Sequence, residues 1–267
     1  TAAGGMHRVL ASESSRRIDP GEDRRIAAVE HLYRWGGMPE LLNLPDAHRH
    51  EWLRSYQQTF LERDLTDLVT LRHLHPFRKL QQLVMLRTGQ ILSYSELARD
   101  AQISVDTVRR YLTYLDMSYQ VLLLQPYSRN LTSRVIKSPK VYWMDMGLLR
   151  QGTGQWGPMT GAMFETMVVS ELHKLISTLA LDISMSFYRT RSGLEVDVIL
   201  DTPGGMYGME IKNRNTVDKK DLTSLIRIAE SAKETWRGGM VIYTGQEIRK
   251  LNDDYGIWAV PLHRLLT

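Results

Sequence analysis

Three side chains in the last third of the chain have the types and spacing to run phosphoryl chemistry: Asp197, Glu210 and Lys212. Residues 194–200 (LEVDVIL) alternate in polarity, which predicts a strand with Glu195 and Asp197 on one face and Val196, Val198 and Leu200 on the other. Residues 209–212 (MEIK) alternate too, with Glu210 and Lys212 on a shared face. The intervening DTPGG at 201–205 has the residue types of a hairpin turn. Folded back, the two strands bring Asp197, Glu210 and Lys212 to one edge of a sheet. Two carboxylates are hard oxygen ligands for Mg²⁺ or Mn²⁺, and the Ile211 carbonyl could add a third donor. Such a cation acidifies a bound water and offsets charge on a scissile phosphate, while the ammonium steers that water or stabilises the extra negative charge. The Glu-x-Lys spacing also occurs on exposed strands as a plain ion pair, so spacing by itself leaves both readings open.

The surrounding elements must hold that edge. Residues 160–180 predict a helix whose buried side carries Phe164, Val168, Leu172, Leu175, Ile176 and Leu179. Glu165 sits beside this stripe; it either snorkels out or joins the site, on the metal or through a water. A helix over 218–235 and strands at 240–243 and 257–260 follow. The order helix, strand, strand, helix, strand, strand predicts an α/β domain with a mixed sheet over 158–267. Arg189, Arg191, Lys219 and Lys220 give it basic surroundings.

The first half reads differently. Residues 1–25 are polar and predict a loosely ordered lead-in, a tag remnant or the cut edge of a longer protein. Residues 26–87 carry helical spacing, including an amphipathic stretch over 48–71. Residues 88–150 have winged helix-turn-helix grammar: a helix from Ser93 to Asp100, a tight connection, a helix capped by Ser104 and running to Asp116, then strands at 119–125 and 140–144. The second helix offers Thr107, Arg109 and Arg110 to DNA. The segment between the strands carries Arg129, Arg134, Lys137 and Lys140 and no acid, which suits a phosphate-gripping wing. Winged helices also serve as protein–protein adaptors, and nothing in this helix shows base readout by itself. The glycine-rich run at 146–158 is the expected domain boundary. It lacks GxxxxGK[ST] and follows no strand directly, so no ATP site is expected in this chain. The pairs His48/His50 and His73/His75 lack the cysteines and context of a zinc site and read as packing or surface residues.

Bulk properties narrow the classes. With 267 residues the chain suits two compact domains. It has no cysteine, which excludes disulfides, thiolate catalysis and iron–sulfur clusters and fits a reducing, cytoplasmic setting. No apolar run reaches membrane-spanning length, so no membrane is expected. The net charge of +4 is a mild lean towards polyanions such as DNA.

Glu165, Asp197 and the Glu210-Ile211-Lys212 triplet, on helix, strand and strand, resemble the PD-(D/E)XK signature of the restriction-endonuclease-like fold. The longer runs GGMPE (36–40), SYQQTFLERDL (55–65), TGQILSYSELARD (88–100), LQPYSRNLTSRVIKSPKVYWMDMGLL (124–149) and FETMVVSEL (164–172), with the YRTRSGLEVDVIL and MEIKN stretches, resemble the C-terminal region of a prokaryotic family of AAA-type ATPases. The resemblance covers roughly residues 27 to 267. It implies a winged helix followed by a nuclease-like domain, Glu165, Asp197, Glu210 and Lys212 as its catalytic set, Mg²⁺ or Mn²⁺ on Asp197 and Glu210, and DNA, an ATPase domain or another protein as partners. This chain departs from that family in having no P-loop. A non-catalytic DNA- or protein-binding scaffold, and a winged-helix regulator with a sensing C-terminal domain, are the alternatives.

Overall fold

A computed structural model describes residues 21–63, 74–127 and 137–265. Its contacts divide the chain at Pro158/Met159, with residues 30–123 and 138–158 in one unit and 159–267 in the other. Of the remaining described residues, 21–29, 124–127 and 137 group with the second unit. A helical half is thus followed by a mixed-sheet α/β half, the expected class.

Within the first unit the helices α1 (Glu22–Trp35, of which 30–35 belong here), α2 (Glu40–Asn43), α3 (Asp46–Arg63) and α4 (Leu74–Leu86) come first. Gly36 stops α1 in the left-handed region, φ +83°, and donates back to the Leu32 carbonyl at 2.9 Å. Strand β1 (Gln90–Ile91) leads to α5 (Tyr94–Ala101) and α6 (Val105–Met117). Ser93 Oγ accepts from Glu96 N, and Ser104 Oγ from Thr107 N at 3.1 Å, so both helices begin on serine caps as read from sequence. Strands β2 (Val121–Leu124) and β3 (Lys140–Trp143) complete a three-stranded sheet ordered β1-β3-β2. Two serine-capped helices beside a small sheet are the components of a winged helix. The segment 128–136, with Arg129 and Arg134, lies outside the described residues, as do 1–20 and the stretch with His73.

The glycine-rich run forms no linker. Its first part is the helix α7 (Met146–Thr153), capped by Asp145, whose carboxylate takes the N–H of Leu148 at 2.9 Å and that of Gly37 at 2.8 Å. Gly147 is required there: a Cβ would stand 1.9 Å from the Trp35 carbonyl oxygen.

The second unit is built on a six-stranded sheet ordered β4-β5-β6-β7-β9-β8. The strands are β4 (Ser184–Arg189), β5 (Glu195–Thr202), β6 (Gly205–Lys212), β7 (Trp236–Tyr243), β8 (Arg249–Asn252) and β9 (Ile257–Pro261). The central strands β6, β7 and β9 run parallel, and antiparallel pairs flank them. Helix α8 (Gly161–Thr178) packs on β6, and α9 (Thr223–Ala232) packs on β5, β6 and β7. Val196, Ile199, Met206, Val241, Tyr243, Ile257 and Ala259 form one core with Leu222, Leu225 and Ile228 from the α9 side. Val198, Met209, Ile211 and Ile242 are buried as well and, by alternation, face the other way, so both sheet faces are covered. The expected helix over 218–235 is three pieces, with 3₁₀ turns at Lys219–Leu222 and Lys233–Thr235 around α9. A four-residue helix α10 (Leu262–Leu265) closes the described chain.

Candidate active site

The hairpin is where the sequence put it, but strict alternation fails at its functional end. Val196 and Ile199 lie three residues apart and both join the core under α9. The β4–β5 register explains this: Ser186 pairs with Ile199 and Tyr188 with Val196, so β5 carries one residue more than its partner. That extra residue is a bulge spanning Asp197 and Val198, a device that kinks a strand and re-aims a side chain. Ladder pairing between β5 and β6 runs from Thr202/Gly205 only as far as Val198/Met209. Past that point Asp197 takes over from the ladder, its Oδ2 accepting the Ile211 N–H at 2.8 Å. The two strands part there, with Asp197 and Glu210 flanking the gap.

Both carboxylates are buried, Asp197 at 8% and Glu210 at 5% exposure. Lys212 Nζ donates to Glu210 Oε2 at 2.7 Å and keeps about a third of its surface exposed, 31%. Burial, then the neighbouring Asp197 charge, with a smaller push from Glu195, moves the Glu210 carboxyl up to about 8; Lys212 only partly offsets this. Burial pulls the Lys212 ammonium down, but Glu210, Asp197 and Asp221 outweigh it and leave its pKa raised. The cluster therefore holds more buried negative charge than one ammonium compensates. Such a donor set fits a hard divalent cation, since Mg²⁺ binds through one or two carboxylates and retains several waters. Asp197 and Glu210 would hold it, and binding would displace the proton Glu210 otherwise keeps. Among the described residues no group of three or more His, Cys, Asp or Glu side chains is arranged to hold a metal.

The structure brings Asp197, Glu210 and Lys212 together. Glu165 is half-buried on α8, the helix that packs on β6. Glu195 is among the charges that move Glu210, and sequence reasoning used it only as a marker of alternation. It pairs across β4–β5 with Arg189, Oε2 to Nη1 3.1 Å. The two-residue step from Glu195 to Asp197 was the available signal.

In the helical half, Arg109 and Arg110 are exposed on α6; Lys137, which groups with the second unit, is exposed as well. Arg109 lies over the Tyr94 ring at 4.4 Å. Thr107 is half-buried, with its hydroxyl 2.8 Å from Ser104 Oγ. Lys140 corrects the expectation of a cationic wing tip: it is only 3% exposed, because β3 is the central strand of its sheet and all four residues are buried. His50 packs against Trp35 and Trp156, ring centroids 5.0 and 4.3 Å away, as a packing histidine does.

A helical half with a winged-helix-like module and a mixed-sheet half with a buried Asp/Glu/Lys cluster define the chain as a two-part α/β protein. Residues 26–155 match the profile of a domain of unknown function (DUF8612), and residues 160–265 match that of another (DUF4143). The two matches meet where the contacts divide the chain. Two mycobacterial relatives, uncharacterized protein Mb2031c of Mycobacterium bovis and uncharacterized protein Rv2008c of Mycobacterium tuberculosis, are each 29% identical over 250 residues, 90% of this chain and 54% of theirs. The chain thus spans about half the length of the curated relatives it matches. The crystal structure of protein VC1899 from Vibrio cholerae aligns over 86% of this chain and 55% of its own, at 14% identity and a TM-score of 0.29, too low to carry an argument. No helix among the described residues is long and apolar enough to cross a membrane.

Proposed function

We propose that the C-terminal domain is a Mg²⁺- or Mn²⁺-dependent phosphodiesterase of the PD-(D/E)XK type acting on DNA, and that the winged-helix-like module grips the duplex through Arg109 and Arg110. The observation that carries this reading is the meeting of Asp197, Glu210 and Lys212 at the parted end of the β5–β6 hairpin. A bound cation would acidify a water and offset charge on the phosphate. Asp197, aimed by the bulge and fixed on the Ile211 N–H, and Glu210 would orient that cation. Lys212, partly exposed, would face the phosphate and lend its ammonium to the developing charge. The resemblance to the tail of AAA-type ATPases, and the greater length of the relatives, support a place as the C-terminal part of a longer ATPase, with the nucleotide site elsewhere.

A second reading has its own support. Lys212 is already committed to Glu210, and no third His, Cys, Asp or Glu side chain among the described residues completes a metal-holding group, so the domain can be a nuclease-like scaffold that binds DNA or protein without cutting. Incubation of the protein with supercoiled and linear DNA and Mg²⁺ or Mn²⁺ separates the two. The catalytic reading expects metal-dependent cutting that falls roughly a hundredfold or more in Asp197→Asn and Lys212→Ala. Cutting that is absent, or unchanged in both variants, sinks it.

A further inference from the structure

The opposite end of the same hairpin opens into a cleft of about 630 Å³, the size of a small-molecule site. Its walls come from the β5–β6 turn (Asp201 to Met206), the end of α9 with the following 3₁₀ turn (Ser231, Ala232, Glu234, Thr235), and Tyr127 and Arg237. The turn is seated closely. Gly205 has φ +126°, and a Cβ there would meet the Thr235 carbonyl oxygen at 2.5 Å. Glycine is therefore what lets the two walls approach.

Each serine and threonine hydroxyl among the described residues of the cleft wall gives its proton to a main-chain carbonyl: Thr202 to Gly205 at 2.8 Å, Ser231 to Arg227 at 3.0 Å, and Thr235 to Ala232 at 2.8 Å. These oxygens can therefore only accept from a guest. Arg237, the one cation among the described residues of the wall, is turned onto the carbonyls of Gly204, Glu234 and Trp236. Asp201 and Glu234 add two carboxylates, and α9 ends at this cleft, so its negative dipole end adds to them. The Tyr127 ring supplies an aromatic surface of the kind that receives a cation.

We propose that this cleft binds a small organic cation rich in N–H donors, a guanidinium or alkylammonium group, at a site separate from the Asp197 cluster. The head group could come from a free polyamine-like molecule or from an arginine side chain of a peptide; the recognition chemistry is the same. The test is isothermal titration of the full chain with agmatine and with the capped tripeptide Gly-Arg-Gly, using sodium acetate as an anionic control. Saturable binding of at least one cation is expected, none of acetate, and a loss of about tenfold or more in Glu234→Gln and in Asp201→Asn. The tighter of the two probes identifies the source of the head group. Asp197→Asn should bind as the wild type does, which keeps this result independent of the phosphodiesterase reading. Absence of saturable cation binding, or binding that survives both cleft substitutions, overturns the proposal. A urea-melting profile for each variant tells a lost site from a lost fold.

Discussion

Glu210 carries a charge that the fold disfavours, through burial and the neighbouring Asp197. Its folded pKa of about 8 lies above the ordinary 4.5, so the folded state holds a proton that the unfolded state has released anywhere between those values. Stability is then greatest below the lower value and is lost as pH rises through the higher one. We expect wild-type unfolding free energy to fall between about pH 5 and pH 9, and Glu210→Gln to flatten that decline by about 2 kcal/mol, discounting for coupling to Lys212 and for relaxation. Urea melts across that range measure it; a decline identical in the variant would mean Glu210 ionises as freely as a surface carboxylate. This residue, with Asp197 and Lys212, was legible in sequence because two alternating strands and a turn leave few ways to arrange them. The influence of Glu195 on Glu210 was missed, although its two-residue step from Asp197 on the same strand was there to be read.

At the scale of elements, the bulge does two jobs. It keeps Val196 and Ile199 under α9 while releasing Asp197 from the ladder to bind the Ile211 N–H. These roles can be separated by substitution. Asparagine keeps an acceptor for that buried N–H, whereas alanine orphans it, so Asp197→Ala should cost about 1–3 kcal/mol and Asp197→Asn less than about 1 kcal/mol. Chemical denaturation of both variants checks this, and equal costs would show that the Ile211 bond does not support the hairpin. The strands that sequence reading missed share a physical cause. β4 and β8 are the two edges of the large sheet, and β1 is an edge of the small one. Edge strands are short or carry charge that blocks further pairing, as RKLN does in β8, and this erases the alternation that marks inner strands. The glycine-rich run holds a helix that composition does not announce, and Gly147 serves its close contact with Trp35.

At the scale of the whole molecule, the grouping of residues 124–127 with the second unit was not legible in the sequence. Gln125 and Tyr127 bond to Phe187 on the outer edge of β4, a long-range contact that no local pattern announces. DNA binding, if it uses the exposed cations of the helical half, should be salt-dependent. Replacing Arg109 and Arg110 by alanine should each lower the slope of log affinity against log salt by about one, and Lys140→Ala should leave that slope unchanged because its side chain is buried. Fluorescence anisotropy with a labelled duplex at several salt concentrations reads all three, and a wild-type affinity indifferent to salt would move this module to a protein partner.

The claim beneath the functional reading is that Asp197 and Glu210 hold a divalent cation at the parted end of the hairpin. Mn²⁺ binding, followed by the electron paramagnetic resonance of free Mn²⁺ at pH 7 and pH 9, tests it without DNA or turnover. One tight site per chain is expected, stronger at pH 9 because the cation must displace the Glu210 proton, and weakened about tenfold or more in Asp197→Asn and Glu210→Gln. Binding that is absent at both pH values, or indifferent to both substitutions, would contradict the account.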